Sequence, residues 1–332
     1  MAFSSTTNLH HKDGRNTVTN FSQPPVNTLQ LPDGRQLAWY EYGDPEGQPC
    51  IYTTGTPASG LLGVLYHESA KEAGVRFISL DKPGYGHSDY MPGRRLTDWP
   101  RDVNALADHL GLDTFAAMGE SGGGPHVLAL AWGLPERVTV ALDVSGMGPG
   151  HEDWVRKGMK PLNRRLFWLA QKAPWLLRFA MRQMANSLKD PKRREKWIAD
   201  QLKAAPPADR ALTESAPGLT ELTLDAYLDA IRMGPKGAAQ EMAIFGQPWG
   251  FSLSEIRIPV QVWHGTEDVN VPVAIAERLC QEIPSAEALI FEGEGHVVGY
   301  TRAREIMQQI VQVGSRPAGQ TTDNITTKPL VI

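Results

Sequence analysis

The sequence predicts an α/β fold in which a mostly parallel sheet is flanked by helices and interrupted by a helical insertion. Short apolar, β-branched runs alternate with helical patterns in two stretches, residues 28–146 and 255–314. Such alternation is typical of strands joined by crossover helices, and therefore of a parallel sheet. Between these stretches, residues 147–254 carry apolar side chains at helical spacing without a clear strand pattern.

The strands are predicted from short apolar runs and from the turns that bound them. Residues 28–31 and 36–42 flank Asp33-Gly34, a pair typical of hairpin turns, and therefore predict two antiparallel strands. The remaining strands are predicted at residues 50–53, 75–80, 114–118, 138–144, 258–263 and 288–291.

The helices are predicted between these strands. Thr97 or Asp98 ahead of Pro100 indicates a helix start, because a side-chain oxygen caps free N–H groups and proline suits the first turn. That helix is expected to reach about Leu110. Further helices of the sheet domain are predicted at residues 61–73, 127–132, 273–282 and 301–313.

The insertion at residues 147–254 is predicted to form a helical cap. It holds five of the nine tryptophans and six of the ten methionines. Most of these are expected in the cores of small helices, but a few, Met147 among them, are expected to line an adaptable apolar pocket. Residues 151–190 carry nine Lys or Arg against three acids. A solvated face is expected there, with anionic-substrate steering or membrane contact as the alternative.

Composition narrows the classes of function. The chain has 332 residues and a net charge of -4, so no global basic field indicates nucleic-acid binding. Cys50 and Cys280 are too few for a disulfide framework or a zinc site, which favours a reducing, cytoplasmic location. No apolar run approaches the ~18 residues of a membrane span. No metal and no other cofactor is expected.

The two ends of the chain are predicted to lie outside the core. Residues 1–27 are polar and are expected to form a disordered or loosely docked arm. Residues 315–332 are polar with scattered prolines and are expected to form a loose tail.

The motif Gly119-Glu120-Ser121-Gly122-Gly123 lies between a predicted strand and a predicted helix. This is the Gly-x-Ser-x-Gly pattern of a nucleophile elbow, in which a sharp turn presents the serine hydroxyl. Small neighbours are needed because larger side chains would collide with the strand or the helix. The following helix N-terminus favours developing negative charge at this point.

A serine nucleophile needs a base, and the base needs an acid that holds its tautomer. Asp268 and His296 each follow a predicted strand, as Ser121 does. Loops after parallel strands meet at one edge of a sheet, where sites of open α/β folds lie. We therefore predict a catalytic triad of Ser121, His296 and Asp268.

Four other residues compete for the roles of base and acid. His87 belongs to a loop that looks structural, and His126 lies one helical turn beyond the serine, where a packed or surface histidine is expected. Glu267 adjoins the predicted acid. Asp143 lies inside a strand rather than after it, which disfavours it.

Over about residues 29–313, the chain resembles an α/β-hydrolase that carries a helical cap. The order Ser, Asp, His matches that fold. The resemblance rests on Leu31-Pro32-Asp33-Gly34-Arg35, Gly55-Thr56-Pro57, Asp81-Lys82-Pro83-Gly84-Tyr85-Gly86-His87-Ser88, the elbow, Pro248-Trp249-Gly250-Phe251, His264-Gly265-x-x-Asp268 and Gly293-x-Gly295-His296. It implies a mostly parallel, eight-stranded-type sheet and a serine hydrolase.

The resemblance also implies an oxyanion hole of two backbone N–H groups, from Thr56 and Gly122. Many relatives have His-Gly where this chain has Thr54-Gly55, so the Thr54 hydroxyl is a candidate substrate contact. Glu120, beside the serine, is expected to be a satisfied polar group, with contact to a substrate hydroxyl or amine as the alternative.

The expected substrate is a small to medium, mainly apolar carboxylic ester or lactone, cleaved through an acyl-enzyme. Three alternatives remain open: hydrolysis of a carbon–carbon bond beside a ketone, a non-hydrolytic cyclisation or elimination in biosynthesis, and a non-catalytic ligand receptor. The only partner expected is the small apolar substrate, with a homodimer left open.

Overall fold

The structure, a computed structural model, is described for residues 7–12, 15–20, 24–158, 161–216 and 218–314. Its strands are β1 (Thr7–Lys12), β2 (Arg15–Asn20), β3 (Asn27–Gln30), β4 (Gln36–Gly43), β5 (Gln48–Thr53), β6 (Val75–Asp81), β7 (Phe115–Glu120), β8 (Val138–Val144), β9 (Val260–Gly265) and β10 (Ala286–Phe291). Eight of them form one sheet in the order β10-β9-β8-β7-β5-β6-β4-β3. β3 pairs antiparallel with β4, and β4 pairs antiparallel with β6. From β6 through β5, β7, β8 and β9 to β10, neighbouring strands are parallel, as the sequence predicts for most of the sheet.

The helices lie between the strands and in the insertion. They are α1 (His67–Ala73), α2 (Trp99–His109), α3 (Gly124–Gly133), α4 (Asp153–Gly158), α5 (Pro161–Lys172), α6 (Pro174–Ser187), α7 (Pro191–Ala204), α8 (Pro207–Ser215), α9 (Leu219–Ala230), α10 (Lys236–Phe245), α11 (Val273–Glu282), α12 (Val298–Thr301) and α13 (Ala303–Gly314).

The sheet is covered on both faces, so the central strands β7 and β8 are buried throughout, while the edge strands β3 and β10 are partly exposed. Helices α2, α3 and α11 pack on one face, and α1 and α13 pack on the other. Successive side chains of the central strand β7 point to opposite faces of the sheet. Phe115 and Ala117 join the apolar core under α2, α3 and α11, and Ala116 and Met118 join the core under α1 and α13.

Helices α4 to α10 occupy the insertion, and its described residues contain no strand. Helices α5, α6 and α10 pack together around a buried apolar cluster that includes Leu177, Met181 and Ala238. Tyr85, from the sheet domain, joins this cluster and so links the cap to the core. The boundaries of the cap at residues 147 and 254 remain a prediction from the sequence.

The structure departs from the predicted elements in three places. Residues Gly60–Tyr66 form a 3₁₀ helix before α1, and it packs so closely on β4 that a side chain at Gly60 or Gly63 would overlap the tyrosines of that strand. Strand β9 begins at Val260, after a proline that has no N–H to donate. In the predicted arm, β1 and β2 pair antiparallel, an element that its composition does not predict. Residues 315–332 lie outside the described residues.

The carboxyl ends of the parallel strands meet at one edge of the sheet. Strand β7 lies in its middle, between β5 and β8, with β9 and β10 beyond. The loops after β5, β7, β9 and β10 carry Thr56, Ser121, Asp268 and His296, respectively. Topology therefore brings the predicted site residues to a common edge. Among the described helices, none is both long and apolar enough to cross a membrane.

Candidate active site

Ser121 lies at the turn between β7 and α3, in a backbone conformation rare for residues with a side chain. Its φ is +53°, in the left-handed region, which costs on the order of 1–3 kcal/mol. The neighbouring glycines make room for the turn: a Cβ at Gly119 would overlap the Gly123 carbonyl, and one at Gly123 would overlap the Thr53 carbonyl. The elbow is therefore a tight crossing of backbones that tolerates no side chains.

The hydroxyl of Ser121 lies within hydrogen-bond distance of His296. The two atoms Oγ and Nε2 are 3.1 Å apart, and His296 Nδ1 is 2.7 Å from Asp268 Oδ2. Because the carboxylate only accepts, Nδ1 carries the proton and Nε2 is free to accept from the serine. The three side chains thus form the nucleophile, base and acid geometry that the sequence predicts.

Asp268 is buried, and its charge is stabilised from several sides. Its Oδ1 accepts from the backbone N–H groups of Asn270 and Val271, at 2.8 and 2.9 Å. His264 Nε2 lies 3.3 Å from Oδ2. Burial by itself raises the pKa of Asp268, but the two histidines outweigh it and hold that pKa well below its usual range. Asp268 is therefore ionised at neutral pH.

His296 is partly buried under the cap. Burial lowers the pKa of the imidazole, but the hydrogen bond and charge of Asp268 outweigh burial, with smaller help from Glu120 and Asp209. The net result is a pKa above the ordinary 6.5. This is the direction required for a base that becomes an imidazolium during the reaction.

The loop after β5 places Thr56 beside Gly122. A Cβ atom built on Gly122 would lie 3.0 Å from the backbone nitrogen of Thr56. In the described part of the chain, the Thr56 N–H donates no hydrogen bond. A Cβ atom on Gly55 would lie 3.3 Å from the Ser121 Cβ, which brings this loop against the nucleophile. The position suits the predicted oxyanion hole.

The oxyanion loop is held from the cap by Glu241 of α10. This fully buried carboxylate accepts hydrogen bonds at Oε2 from Lys82 Nζ, at 3.0 Å, and from the hydroxyls of Thr56 and Tyr85. Lys82 Nζ also donates to the carbonyls of Thr54 and Gly55, at 3.0 and 3.1 Å. A buried ion pair thus fixes the backbone that carries one oxyanion donor.

A second cap carboxylate reaches the histidine loop. Asp209 of α8 accepts at Oδ1 from the backbone N–H of Val297, at 3.3 Å, and also lies against the backbone N–H of His296. Any side chain at Gly295 would overlap this carboxylate. The cap therefore supports the base as well as the oxyanion loop.

The structure corrects the expected substrate contact of Thr54 and, for Glu120, favours the satisfied polar group over the alternative of substrate contact. The Thr54 hydroxyl is buried and donates to the carbonyl of Ala58 at 2.7 Å, so it offers nothing to a substrate. Glu120 accepts from Tyr52 at 2.6 Å and from Tyr66 at 3.3 Å, behind the nucleophile. Burial raises the pKa of Glu120. It is the satisfied polar group that the sequence favours.

A cavity of about 490 Å³ opens above the triad, with Thr56, Ser121 and His296 at its base. Met147 lines it, as the sequence predicts. Its remaining walls come mainly from apolar side chains of the cap, among them Leu166, Phe167, Met181, Met184, Met242 and Phe245. Asn163, Tyr227 and Asn270 also line the cavity. Among the described residues, no Lys, Arg, Asp or Glu lines this cavity.

The competing residues lie away from the nucleophile. His126 packs with Nδ1 3.1 Å from the Gly122 carbonyl, and burial lowers its pKa to about 3. His87 Nδ1 lies 2.8 Å from an arginine, Arg232, and Glu267 is exposed. Asp143 is buried, and burial raises its pKa to about 8. Within the described structure, none of the four rivals is hydrogen-bonded to Ser121 or His296.

Sequence reasoning missed Glu241, Asp209 and His264. Glu241 stands in the apolar run Ala238-Ala239-Gln240-Glu241-Met242, and a lone charge on an apolar helix is a signal for a buried partner. His264 belongs to a motif that was recognised only for Asp268. Asp209 carries no sequence signal, because its loop partner is 88 residues away. In the described part of the chain, no cluster of three or more His, Cys, Asp or Glu could hold a metal ion.

Comparison with known proteins agrees with this architecture. The family model for the α/β hydrolase fold matches residues 59–303. A bromoperoxidase from Bacillus anthracis superposes with a TM-score of 0.66 at 18% identity, covering 87% of this chain and 99% of that one. An esterase from Exiguobacterium antarcticum superposes with a TM-score of 0.64 at 20% identity, over 88% and 100%.

Two curated proteins are similar in sequence. One is the dihydrolipoyllysine-residue acetyltransferase component of an acetoin cleaving system from Pseudomonas putida, 27% identical over 290 residues. The match covers 84% of this chain but only 66% of that protein. The other is a 2-hydroxy-6-oxononadienedioate/2-hydroxy-6-oxononatrienedioate hydrolase from Burkholderia vietnamiensis, 24% identical over 86% of this chain and 93% of its own. From the match over residues 59–303 and the shared fold, the chain belongs to the α/β hydrolase fold family.

Proposed function

We propose that this chain is a serine hydrolase that cleaves a small or medium, mainly apolar carboxylic ester or lactone through an acyl-enzyme. Ser121 Oγ attacks the carbonyl carbon while His296 Nε2 takes its proton. The tetrahedral intermediate collapses as the imidazolium protonates the leaving oxygen. Water, deprotonated by the same nitrogen, then attacks the acyl-enzyme and releases the acid.

The observation that carries this proposal is the pair of distances along the triad. Ser121 Oγ to His296 Nε2 is 3.1 Å, and His296 Nδ1 to Asp268 Oδ2 is 2.7 Å. Both are hydrogen-bond distances. The first allows the imidazole to take the serine proton, and the second holds the imidazole in the tautomer that can accept it.

The oxyanion of the intermediate is assigned to the backbone N–H groups of Thr56 and Gly122. Their closeness supports this assignment, as does the ion pair of Lys82 and Glu241 that fixes the first donor. Preorganised donors of this kind contribute about 3–4 kcal/mol each to the transition state.

The substrate class follows from the lining of the cavity. A volume of about 490 Å³ suits a small or medium molecule, and walls rich in methionine and phenylalanine favour apolar groups. An ester or lactone needs only the oxyanion hole as a polar contact at the reacting carbon. The uncharged walls therefore suit a neutral, apolar ester.

Pre-steady-state kinetics with p-nitrophenyl butyrate test this proposal. We expect a burst of p-nitrophenol equal to the enzyme concentration, no burst in Ser121→Ala, and a fall in kcat on the order of 10⁶-fold. Ser145→Ala is a matched control, because Ser145 also follows a strand in the left-handed region, with a φ of +48°, but is fully buried away from the cavity lining. A full burst in Ser121→Ala would refute the assignment of the nucleophile.

Hydrolysis of a carbon–carbon bond beside a ketone is the second candidate. The relative from Burkholderia vietnamiensis favours it, because its name describes a hydrolase of an oxo-dicarboxylate. A dicarboxylate would need cations, however, and no Lys or Arg lines the cavity among the described residues. A panel of esters, lactones and neutral β-diketones decides between the two: turnover confined to the diketones would favour the second candidate.

A further inference from the structure

Two helices of the cap, α5 and α6, expose large apolar side chains to solvent. Trp175 is 64% exposed, Trp168 is 61% exposed and Phe179 is 56% exposed. Leu176 and Met184 on α6 are also exposed. We refer to these five residues and the cations between them as the α5–α6 surface. Contiguous exposed aromatic groups on a soluble domain indicate an interaction site.

The same helices carry an unbalanced positive charge. Residues 161–187 contain five cations and no Asp or Glu, although the whole chain has a net charge of -4. The cations are Arg164, Arg165, Lys172, Arg178 and Arg182. In the described part of the chain, none of the five pairs with a carboxylate within 4.0 Å. The surface therefore combines aromatic groups with cations that remain available to an external anion.

The α5–α6 surface adjoins the mouth of the cavity. Along α6, Leu176, Ala180 and Met184 are four residues apart and so follow one row of the helix. All three are exposed, and Ala180 and Met184 also line the cavity. Leu177 and Met181, on the neighbouring row, are buried and line the cavity from within. One helix thus connects the exposed apolar surface with the interior.

We propose that the α5–α6 surface docks on a lipid bilayer that carries anionic headgroups. Trp and Phe beside Lys and Arg is the composition of helices that lie in the membrane interface, with rings among acyl chains and cations at headgroups. A symmetric dimer through this surface is disfavoured, because it would set five cations against the same five cations. An anionic bilayer supplies both the apolar layer and the counter-charge.

Sedimentation with vesicles tests the proposal with the whole chain. We expect binding to vesicles of phosphatidylcholine with about 30% phosphatidylglycerol, and at least tenfold weaker binding to phosphatidylcholine alone. Raising the salt concentration should weaken binding strongly, since each cation near the surface contributes about fivefold. Equal binding to both vesicle types, or no binding to either, would overturn the proposal.

Two variants separate the contributions of charge and rings. Arg178→Gln with Arg182→Gln should weaken binding by about 25-fold, and Trp175→Ser with Phe179→Ser should abolish it. Lys192→Gln with Lys203→Gln, on α7 outside the surface, is the matched charge control and should leave binding within about fivefold of wild type. If the control weakens binding as much as the α6 pair does, the site is wrong.

The oligomeric state is measured on the same proteins by light scattering. If the wild type is a dimer that Trp175→Ser with Phe179→Ser converts to a monomer, a second copy covers the surface and the proposal fails. Vesicle binding is repeated with Ser121→Ala, because docking does not depend on turnover. If this variant loses hydrolysis but still binds vesicles, docking and hydrolysis are independent. A failure of either proposal can then be told apart from a failure of the other.

Discussion

At the residue scale, the site works through groups whose charges are set by their neighbours. Asp268 stays ionised because two histidines and two backbone N–H groups stabilise its carboxylate. That charge fixes the tautomer of His296 and raises its pKa. Ser121 needs no shift of its own, since it gives up its proton only during attack.

Asp268→Asn tests the role of the acid. An amide at this position no longer favours the proton on Nδ1 of His296, so Nε2 is no longer available to accept from Ser121. We expect kcat for p-nitrophenyl butyrate to fall about 10⁴-fold. Folding stability should also decrease, because the low pKa of Asp268 means that its charge stabilises the folded state. Glu267→Gln, at the adjacent exposed position, should change kcat less than twofold. More than a tenth of wild-type activity in Asp268→Asn would contradict the triad.

The pH dependence follows from the sign of the histidine shift. The base must be neutral, and its pKa lies above 6.5, so kcat/KM should fall as pH decreases through a value above 6.5. In Asp268→Asn the charge that raises this pKa is gone, and the acidic limb should move to lower pH. A limb that stays in place would show that another group controls it.

Glu241→Gln tests the link between the cap and the oxyanion loop. The change keeps the size of the side chain but leaves the buried Lys82 ammonium and the buried Arg94 guanidinium without their counter-charge, which costs about 3–5 kcal/mol of folding stability. Because the carboxylate that holds Thr56 directly and orients Lys82 is lost, we also expect kcat to fall by about a hundredfold, more than KM changes.

The control for Glu241→Gln removes both charges. Lys82→Met combined with Glu241→Leu replaces this ion pair by apolar groups and should recover part of the folding stability measured by denaturant unfolding. The recovery stays incomplete because the buried Arg94 guanidinium, 3.6 Å from Glu241 in the wild type, is left without its carboxylate. Catalysis should not recover, since Lys82→Met also removes the hydrogen bonds that Lys82 donates to the Thr54 and Gly55 carbonyls. Full recovery of kcat would argue that the pair serves stability alone.

At the element scale, the turn from β7 to α3 determines where the nucleophile lies. The close approach of β5 to this turn leaves no room for a Cβ at Gly123, where the Thr53 carbonyl carbon would be 2.9 Å away. Strand pairing and turn geometry are therefore coupled: β5 can lie beside β7 only if the elbow has glycine.

Gly123→Ala measures this constraint. The methyl group meets backbone rather than a flexible side chain, so we expect a loss of more than about 3 kcal/mol in unfolding free energy. Gly34→Ala is the matched control, because Gly34 has a φ of +85° and nothing within 4 Å of a built Cβ. It should cost only about 1 kcal/mol, from the backbone conformation alone. Equal losses of unfolding free energy in the two variants would contradict the claim that contact with the β5 backbone requires glycine at position 123.

The sequence predicts elements and loops better than it predicts contacts across the fold. The elbow and the residues after β9 and β10 were found because each role needs a residue type directly after a strand, which is local information. Glu241 and Asp209 were missed because their partners lie 159 and 88 residues away, in loops with no sequence pattern in common with the cap. Thr54 was misassigned because its loop turns the hydroxyl inward, to Ala58.

At the scale of the whole molecule, the cap contributes contacts and walls to the candidate site rather than only covering it. Its helices α8 and α10 each carry one buried carboxylate, Asp209 and Glu241, that accepts a hydrogen bond from a loop at the sheet edge. The same cap supplies most of the walls of the cavity. Movement of the cap would therefore disturb the oxyanion loop, the histidine loop and the pocket together, which couples access to catalysis.

Global stability should depend on pH through Asp143, a buried carboxyl group with no hydrogen-bond partner among the described residues. Burial raises its pKa from 3.8 to about 8, so the folded state holds a proton that the unfolded state releases. Its contribution to stability is full below pH 3.8 and is lost as pH rises toward 8, with a slope of up to about 1.4 kcal/mol per pH unit.

Asp143→Asn tests this dependence, because the amide mimics the protonated form and removes the loss of stability at high pH. By denaturant unfolding, we expect the variant to match wild type near pH 5 within about 2 kcal/mol and to gain on it steadily toward pH 8. Asp113→Asn, on an exposed loop, should shift stability equally at both pH values. A wild-type curve parallel to that of Asp143→Asn would mean that this carboxyl is already ionised, with a partner, in the folded protein.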